Sequence, residues 1–130
     1  MRLSPDAFPQ DRRPDWLTDE KLQLLEDSIA AARNPGNCRF EEGGQPCCVI
    51  GQLSVRMGKG ARQLEEFDGD FYGTFPQIYQ LIGVCPAFPE GLVDALRRAW
   101  DLTLGIHGEE TEDTRRDVLR QKVLTYVLGR

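Results

Sequence analysis

A chain of 130 residues has the length of one domain, and with 40% hydrophobic and 28% charged residues it has the composition of a globular protein rather than a disordered one. Its 16 Lys and Arg against 21 Asp and Glu leave a net charge of −5, with bases interspersed among acids; no basic patch stands ready for phosphates, so direct nucleic-acid binding is not expected. No apolar run approaches a membrane span, and the start of the chain lacks the apolar stretch of a secretory signal, so a cytoplasmic protein without membrane contact is expected.

Met1–Trp16, with Pro5, Pro9 and Pro14 among Asp and Arg, predicts an extended arm, and 17–130 a single globular helical domain. Trp16 anchors the arm, because an indole gains by packing. Thr18 is placed as an N-cap, with Asp19 and Glu20 in the first turn, where the helix dipole favours negative charge. Leu22, Leu25, Ile29 and Ala32 then recur at helical spacing. Asn34-Pro35-Gly36-Asn37 stops that helix.

Gly43-Gly44 between two short runs predicts a hairpin, since glycine accepts the positive φ of both turn positions. With that turn, Glu42 faces Gln45, Phe40 faces Cys47 and Cys38 faces Val49. A short helix carrying Ile50, Leu53 and Met57 follows, closed by Gly58 and Gly60. Leu64 and Phe67 suit one helical turn ahead of an acidic loop. Phe75–Leu81 predicts a short helix with Phe75, Ile78, Tyr79 and Ile82 on its buried side. A linker from Gly83 to Pro89 holds Cys85.

The last third is the most periodic. Pro89 suits a first helical position, and Leu92, Val93, Leu96 and Trp100 form an inner stripe of a helix ending near Gly105. Thr111 caps a final helix with Glu112 and Asp113 in its first turn. Its inner stripe is Leu119, Val123, Tyr126 and Val127, with Arg115, Arg116 and Arg120 outside. The fold class expected is mainly α: four to five helices around one core, with a small two-stranded β-hairpin packed on it.

The four cysteines are Cys38, Cys47, Cys48 and Cys85. In a reducing compartment they are expected as thiols. The hairpin register makes Cys38 and Cys47 diagonal neighbours, roughly 7–8 Å apart, long for a disulfide and suitable for two ligands of one metal. A three-residue turn would place Cys48 beside Cys38 instead. Cys85 and His107 would have to complete a zinc site, and the close Cys-x₂₋₄-Cys pair usual for zinc is missing. Small buried cysteines filling a core are the simpler reading. Asp68-Gly69-Asp70 lacks the remaining ligands of a calcium loop, and Gly58-Lys59-Gly60 is not a phosphate loop.

The segment from Cys38-Arg39-Phe40 through Gly43-Gly44-Gln45-Pro46-Cys47-Cys48-Val49-Ile50-Gly51 resembles a group of small proteins encoded by bacteriophages and actinobacteria. Their pattern is Cys-Arg-aromatic, a Gly-containing turn, Pro-x-Cys-x-Val-Gly and an apolar helix. The resemblance covers a minor part of the chain and implies no activity. Gln52 stands where many of those proteins carry His or Cys.

The expected function is therefore that of a non-enzymatic, acidic protein-interaction module, phage-encoded if the resemblance holds and then at work in the host cytoplasm. An anti-CRISPR or other counter-defence inhibitor is one example. Its candidate partner-binding residues are Glu65, Glu66, Asp68, Asp70, Glu109, Glu110, Glu112 and Asp113. This reading needs no cofactor. One alternative is a zinc-stabilised structural module on Cys38, Cys47, Cys48, Cys85 and His107; the other is a small enzyme with a cysteine nucleophile assisted by His107.

Overall fold

A computed structural model of the chain describes residues 2–33, 41–42, 44–60, 64, 75–103 and 112–129. These residues form five α-helices: α1 (Asp19–Ala31), α2 (Val49–Arg56), α3 (Phe75–Leu81), α4 (Glu90–Thr103) and α5 (Glu112–Leu128). Two short strands, β1 (Glu41–Glu42) and β2 (Gln45–Pro46), precede α2. The protein is mainly α. No helix among the described residues is long and apolar enough to cross a membrane.

Helix α1 starts where Thr18 Oγ1 accepts the Lys21 N–H, satisfying a donor the helix itself cannot reach. Its Leu22, Leu25 and Ile29 are fully buried, against α2 on one side and α5 on the other. α4 packs on α5 and α2 through Leu92, Val93, Leu96 and Trp100, and α3 lies at the edge against α4. Each buried Leu, Ile or Phe side chain contributes roughly 1.5–3 kcal/mol from water exclusion. α2 ends in a Schellman cap: Gly58 takes φ +102°, its N–H reaches Val55 O and the Lys59 N–H reaches Ser54 O.

The arm is wound rather than extended. Two 3₁₀ turns, Pro5–Ala7 and Gln10–Arg12, fold it so that Leu3, Phe8 and Leu17 enter the core. Prolines fix φ near the helical value, so they favour such turns as readily as an extended path. Trp16 is half-buried and meets Phe88 edge-on, with ring centroids 6.2 Å apart.

β1 and β2 pair antiparallel, Glu41 with Pro46 and Glu42 with Gln45, and Gly44 takes φ +83° in the turn. Val49, the position expected to face Cys38, is helical rather than extended: it is the first residue of α2, which Cys48 caps. Phe40 and Cys38 lie outside the described residues.

Pro89 precedes α4 rather than opening it, and its carbonyl accepts the Val93 N–H as an N-cap does. In α5 the expected sides are partly exchanged. Leu119 and Val123 are buried as the stripe requires, but Arg115 is also buried, and the side chains of Arg116 and Arg120 are only 19% and 12% exposed. Tyr126, expected inside, is 44% exposed. Thr111 lies outside the described residues.

Candidate functional site

Cys48 is the N-cap of α2, its Sγ accepting the Gly51 N–H at 3.5 Å. Cys47 is fully buried, with its Sγ 3.7 Å from Gln45 O. The backbone between them is fastened from both neighbours. The Arg33 N–H donates to Cys47 O at 2.9 Å and Arg33 Nε to Pro46 O at 3.2 Å. From α2, Gln52 Nε2 donates to Pro46 O at 2.9 Å and to Cys47 O, while Gln52 Oε1 accepts from Arg56 Nη1 at 2.8 Å. Gln52 is thus a buried strut between β2 and α2, which its departure from the segment's pattern did not reveal.

Cys85, partly buried, is hydrogen-bonded with Tyr79. The Tyr79 hydroxyl donates to Phe88 O, and burial, with the Cys85 hydrogen bond second, pushes its pKa up to about 12. Cys47, Cys48 and Cys85 carry thiols rather than disulfides. Among the described residues no three His, Cys, Asp or Glu side chains gather where they could hold a metal ion, so Cys85 does not join Cys47 and Cys48. Cys38 and His107 lie outside the described residues.

Of the expected acidic face, Glu65, Glu66, Asp68, Asp70, Glu109 and Glu110 lie outside the described residues. Glu112 and Asp113 are within them, and both are ion-paired to Arg116, at 3.3 and 2.9 Å. Carboxylates neutralised from their own helix offer little to a basic partner.

The arginines of α5 hold the helices together. Arg120 Nη2 and Nε bind the two oxygens of Glu26 at 2.7 and 2.9 Å, and the Leu3 N–H donates to the same carboxylate at 2.7 Å. Glu26 is only 1% exposed, so one buried carboxylate fastens the arm, α1 and α5 together. Arg120 also holds Asp117 at 2.9 Å, and this hydrogen bond lowers the Asp117 pKa. Arg116 Nε and Nη2 cap the C-terminal end of α1 at Ala32 O. Arg115 lies flat on the Trp100 ring, 3.7 Å from its centroid, and donates to Trp100 O.

Toward its C-terminal end α5 faces the arm across a groove of about 370 Å³ lined by Asp11, Arg12, Arg13, Pro14, Trp16, Tyr126 and Val127. That volume is in the range of ordinary ligand sites. Both walls are fixed. Arg13 donates twice to Phe8 O, at 3.1 and 2.8 Å, and pairs with Asp19, so its side chain is 5% exposed. Tyr126 leans on the first turn of α4 at Gly91, where any Cβ would stand 3.2 Å from the Tyr126 hydroxyl. A second concavity of about 350 Å³, lined by Gln10, Arg13, Pro14, Asp15, Leu17, Thr18 and Asp19, adjoins the first at Arg13 and Pro14. None of these groove residues was among those expected from the sequence. Tyr126 falls on the inner stripe by spacing, so no sequence signal marked it as exposed.

The chain matches no protein-family model, no curated protein and no solved structure.

Proposed function

We propose that this chain is a non-enzymatic protein-interaction module whose partner docks along the groove between the N-terminal arm and the end of α5. The observation that carries the reading is the pairing of a half-buried Trp16 with a 44% exposed Tyr126 across a groove with braced walls. Tryptophan and tyrosine carry large contact area at small entropic cost and dominate the energetics of protein interfaces. Bracing by Arg13 and Gly91 lowers the ordering cost of binding, because the walls need not be arrested on contact. The thiols of Cys47 and Cys48, by contrast, are buried and engaged in local hydrogen bonds, which favours packing over nucleophilic chemistry. A phage- or host-directed role for the module rests on the Cys38–Gly51 resemblance alone.

A photo-crosslinking residue, p-benzoylphenylalanine, placed at position 126 and separately at the exposed position 23 of α1, tests this reading in cells that naturally make the protein. One predominant protein adduct at position 126, absent at position 23, is the expected result. Equal adducts at both positions, or none at 126, would refute it.

A further inference from the structure

We propose that the two adjoining concavities form one channel for a basic, proline-containing extended segment of the partner, with prolines on the aromatic side and a lysine or arginine on the acidic side. This inference rests on the groove being the docking surface and adds the chemistry of what docks there.

The aromatic side is lined by Trp16, Tyr126, Val127 and Pro14. Among the described residues, neither the Trp16 indole N–H nor the Tyr126 hydroxyl has a hydrogen-bond partner, although both border the groove. A polyproline II segment can take up both donors. It has no internal hydrogen bonds, so its carbonyls are open to outside donors, and its proline rings stack on aromatic walls. It is also largely ordered before binding, which suits a module with a groove already formed.

Charge sets the flank. Past Pro14 the second concavity carries Asp15 and Asp19, both exposed, and Asp11 borders the first. Asp11 and Asp15 enter no ion pair among the described residues. The one cation shared by the two concavities, Arg13, has its guanidinium bound to Phe8 O and Asp19 and is nearly buried. Asp19 is held by Arg13, so Asp15 is the carboxylate that the second concavity presents without a counter-charge, and complementarity calls for a basic side chain beside it. Arg12 borders only the aromatic side, where its guanidinium can donate to a carbonyl of the segment.

Trp16 reports on the channel directly, because the second tryptophan of the chain, Trp100, is 1% exposed and does not border it. The test titrates the full chain with the synthetic peptide APPLPPRPKA and follows tryptophan fluorescence. Controls are AGGLGGRGKA, which loses the prolines, and APPLPPEPEA, which reverses the charges. We expect saturable binding with a Kd on the order of 100 μM, no saturation with the glycine peptide, and roughly fivefold or more weakening with the glutamate peptide.

Tyr126→Ala should weaken binding about tenfold or more. Asp15→Asn should weaken it about threefold for the basic peptide and leave APPLPPAPAA unaffected. Both substitutions fall at exposed positions, and far-UV circular dichroism checks that the fold survives. The proposal is overturned if no saturable change occurs at millimolar APPLPPRPKA, or if the three peptides bind alike. A partner crosslinked at position 126 together with peptide failure would remove the proline-and-base chemistry and keep the docking groove. Failure of both would remove the groove as well.

Discussion

Replacing Glu26 with glutamine tests whether the buried carboxylate joins the arm, α1 and α5. The carboxylate is 1% exposed and accepts three N–H groups, from Leu3 at 2.7 Å and from Arg120 at 2.9 and 2.7 Å. Removing one member of a buried ion pair costs about 3–5 kcal/mol, because the other charge stays desolvated. Glutamine retains an oxygen for the Leu3 N–H, and Arg120 retains Asp117 at 2.9 Å. Both place Glu26→Gln at the lower end, about 3 kcal/mol, a large share of the ~5–15 kcal/mol typical of a domain. Arg120→Met strands the carboxylate instead and should cost at least as much. The double variant should be little worse than either single one, a coupling on the order of 2 kcal/mol. Urea unfolding followed by circular dichroism measures all of these. Asp117→Asn, at the exposed end of the network, serves as a control expected to stay near the parent. A Glu26→Gln midpoint equal to the parent's, or single costs that add in the double variant, would refute the three-way junction.

Further expectations concern groups placed by the same packing. Tyr79 should ionise near pH 12 in a titration followed by tyrosinate absorbance. The unfolded chain releases that proton near the ordinary tyrosine value of 10.0, so the Tyr79 contribution to stability is intact below that pH and declines as pH rises toward about 12; in Tyr79→Phe this alkaline decline should shrink. Arg115→Lys should cost about 1–2 kcal/mol in urea unfolding, because an ammonium cannot lie flat on the Trp100 ring while donating to Trp100 O; a variant as stable as the parent would refute that contact. Gly91→Ala should fold with stability equal to the parent or up to ~1 kcal/mol higher from helix propensity. Its new Cβ, 3.2 Å from the Tyr126 hydroxyl, should displace that ring and weaken binding of APPLPPRPKA, which thermal melting and fluorescence titration in parallel would separate.

The helices with a clean apolar stripe were legible because their packing follows sequence period. Leu22, Leu25 and Ile29 in α1, and Leu92, Val93, Leu96 and Trp100 in α4, are buried as their spacing predicts. Glu26 and Arg120 were not legible, since each looks like a solvated charge and they stand 94 residues apart. Arg116 likewise reaches Ala32 O across 84 residues. Periodicity scores a charged side chain as outward, whereas a paired guanidinium can be covered once its partner exists. The hairpin register was legible as far as Glu42 and Gln45 and failed at Val49, where Cys48 acts as a helix cap and ends the extended backbone. The arm's path was lost for a different reason: prolines specify φ and leave ψ open.

The exchange of sides in α5 also accounts for the groove. From Leu119 through Val123 the inner stripe meets α4 and α1 and is covered. One turn further along, the same stripe reaches Tyr126, but there the facing position on α4 is Gly91, which contributes no side chain. The ring is supported from beneath and left open above, with the arm's Pro14 and Trp16 forming the other wall. Because Arg115, Arg116 and Arg120 supply much of the hold between α5 and the rest, the end of the helix need not bury its aromatic to stay in place. Val127 beyond it still packs against the core, so Tyr126 is the member of the stripe that stands open. The open face of Tyr126 offers a partner more than the acids of α5 do, which Arg116 already holds.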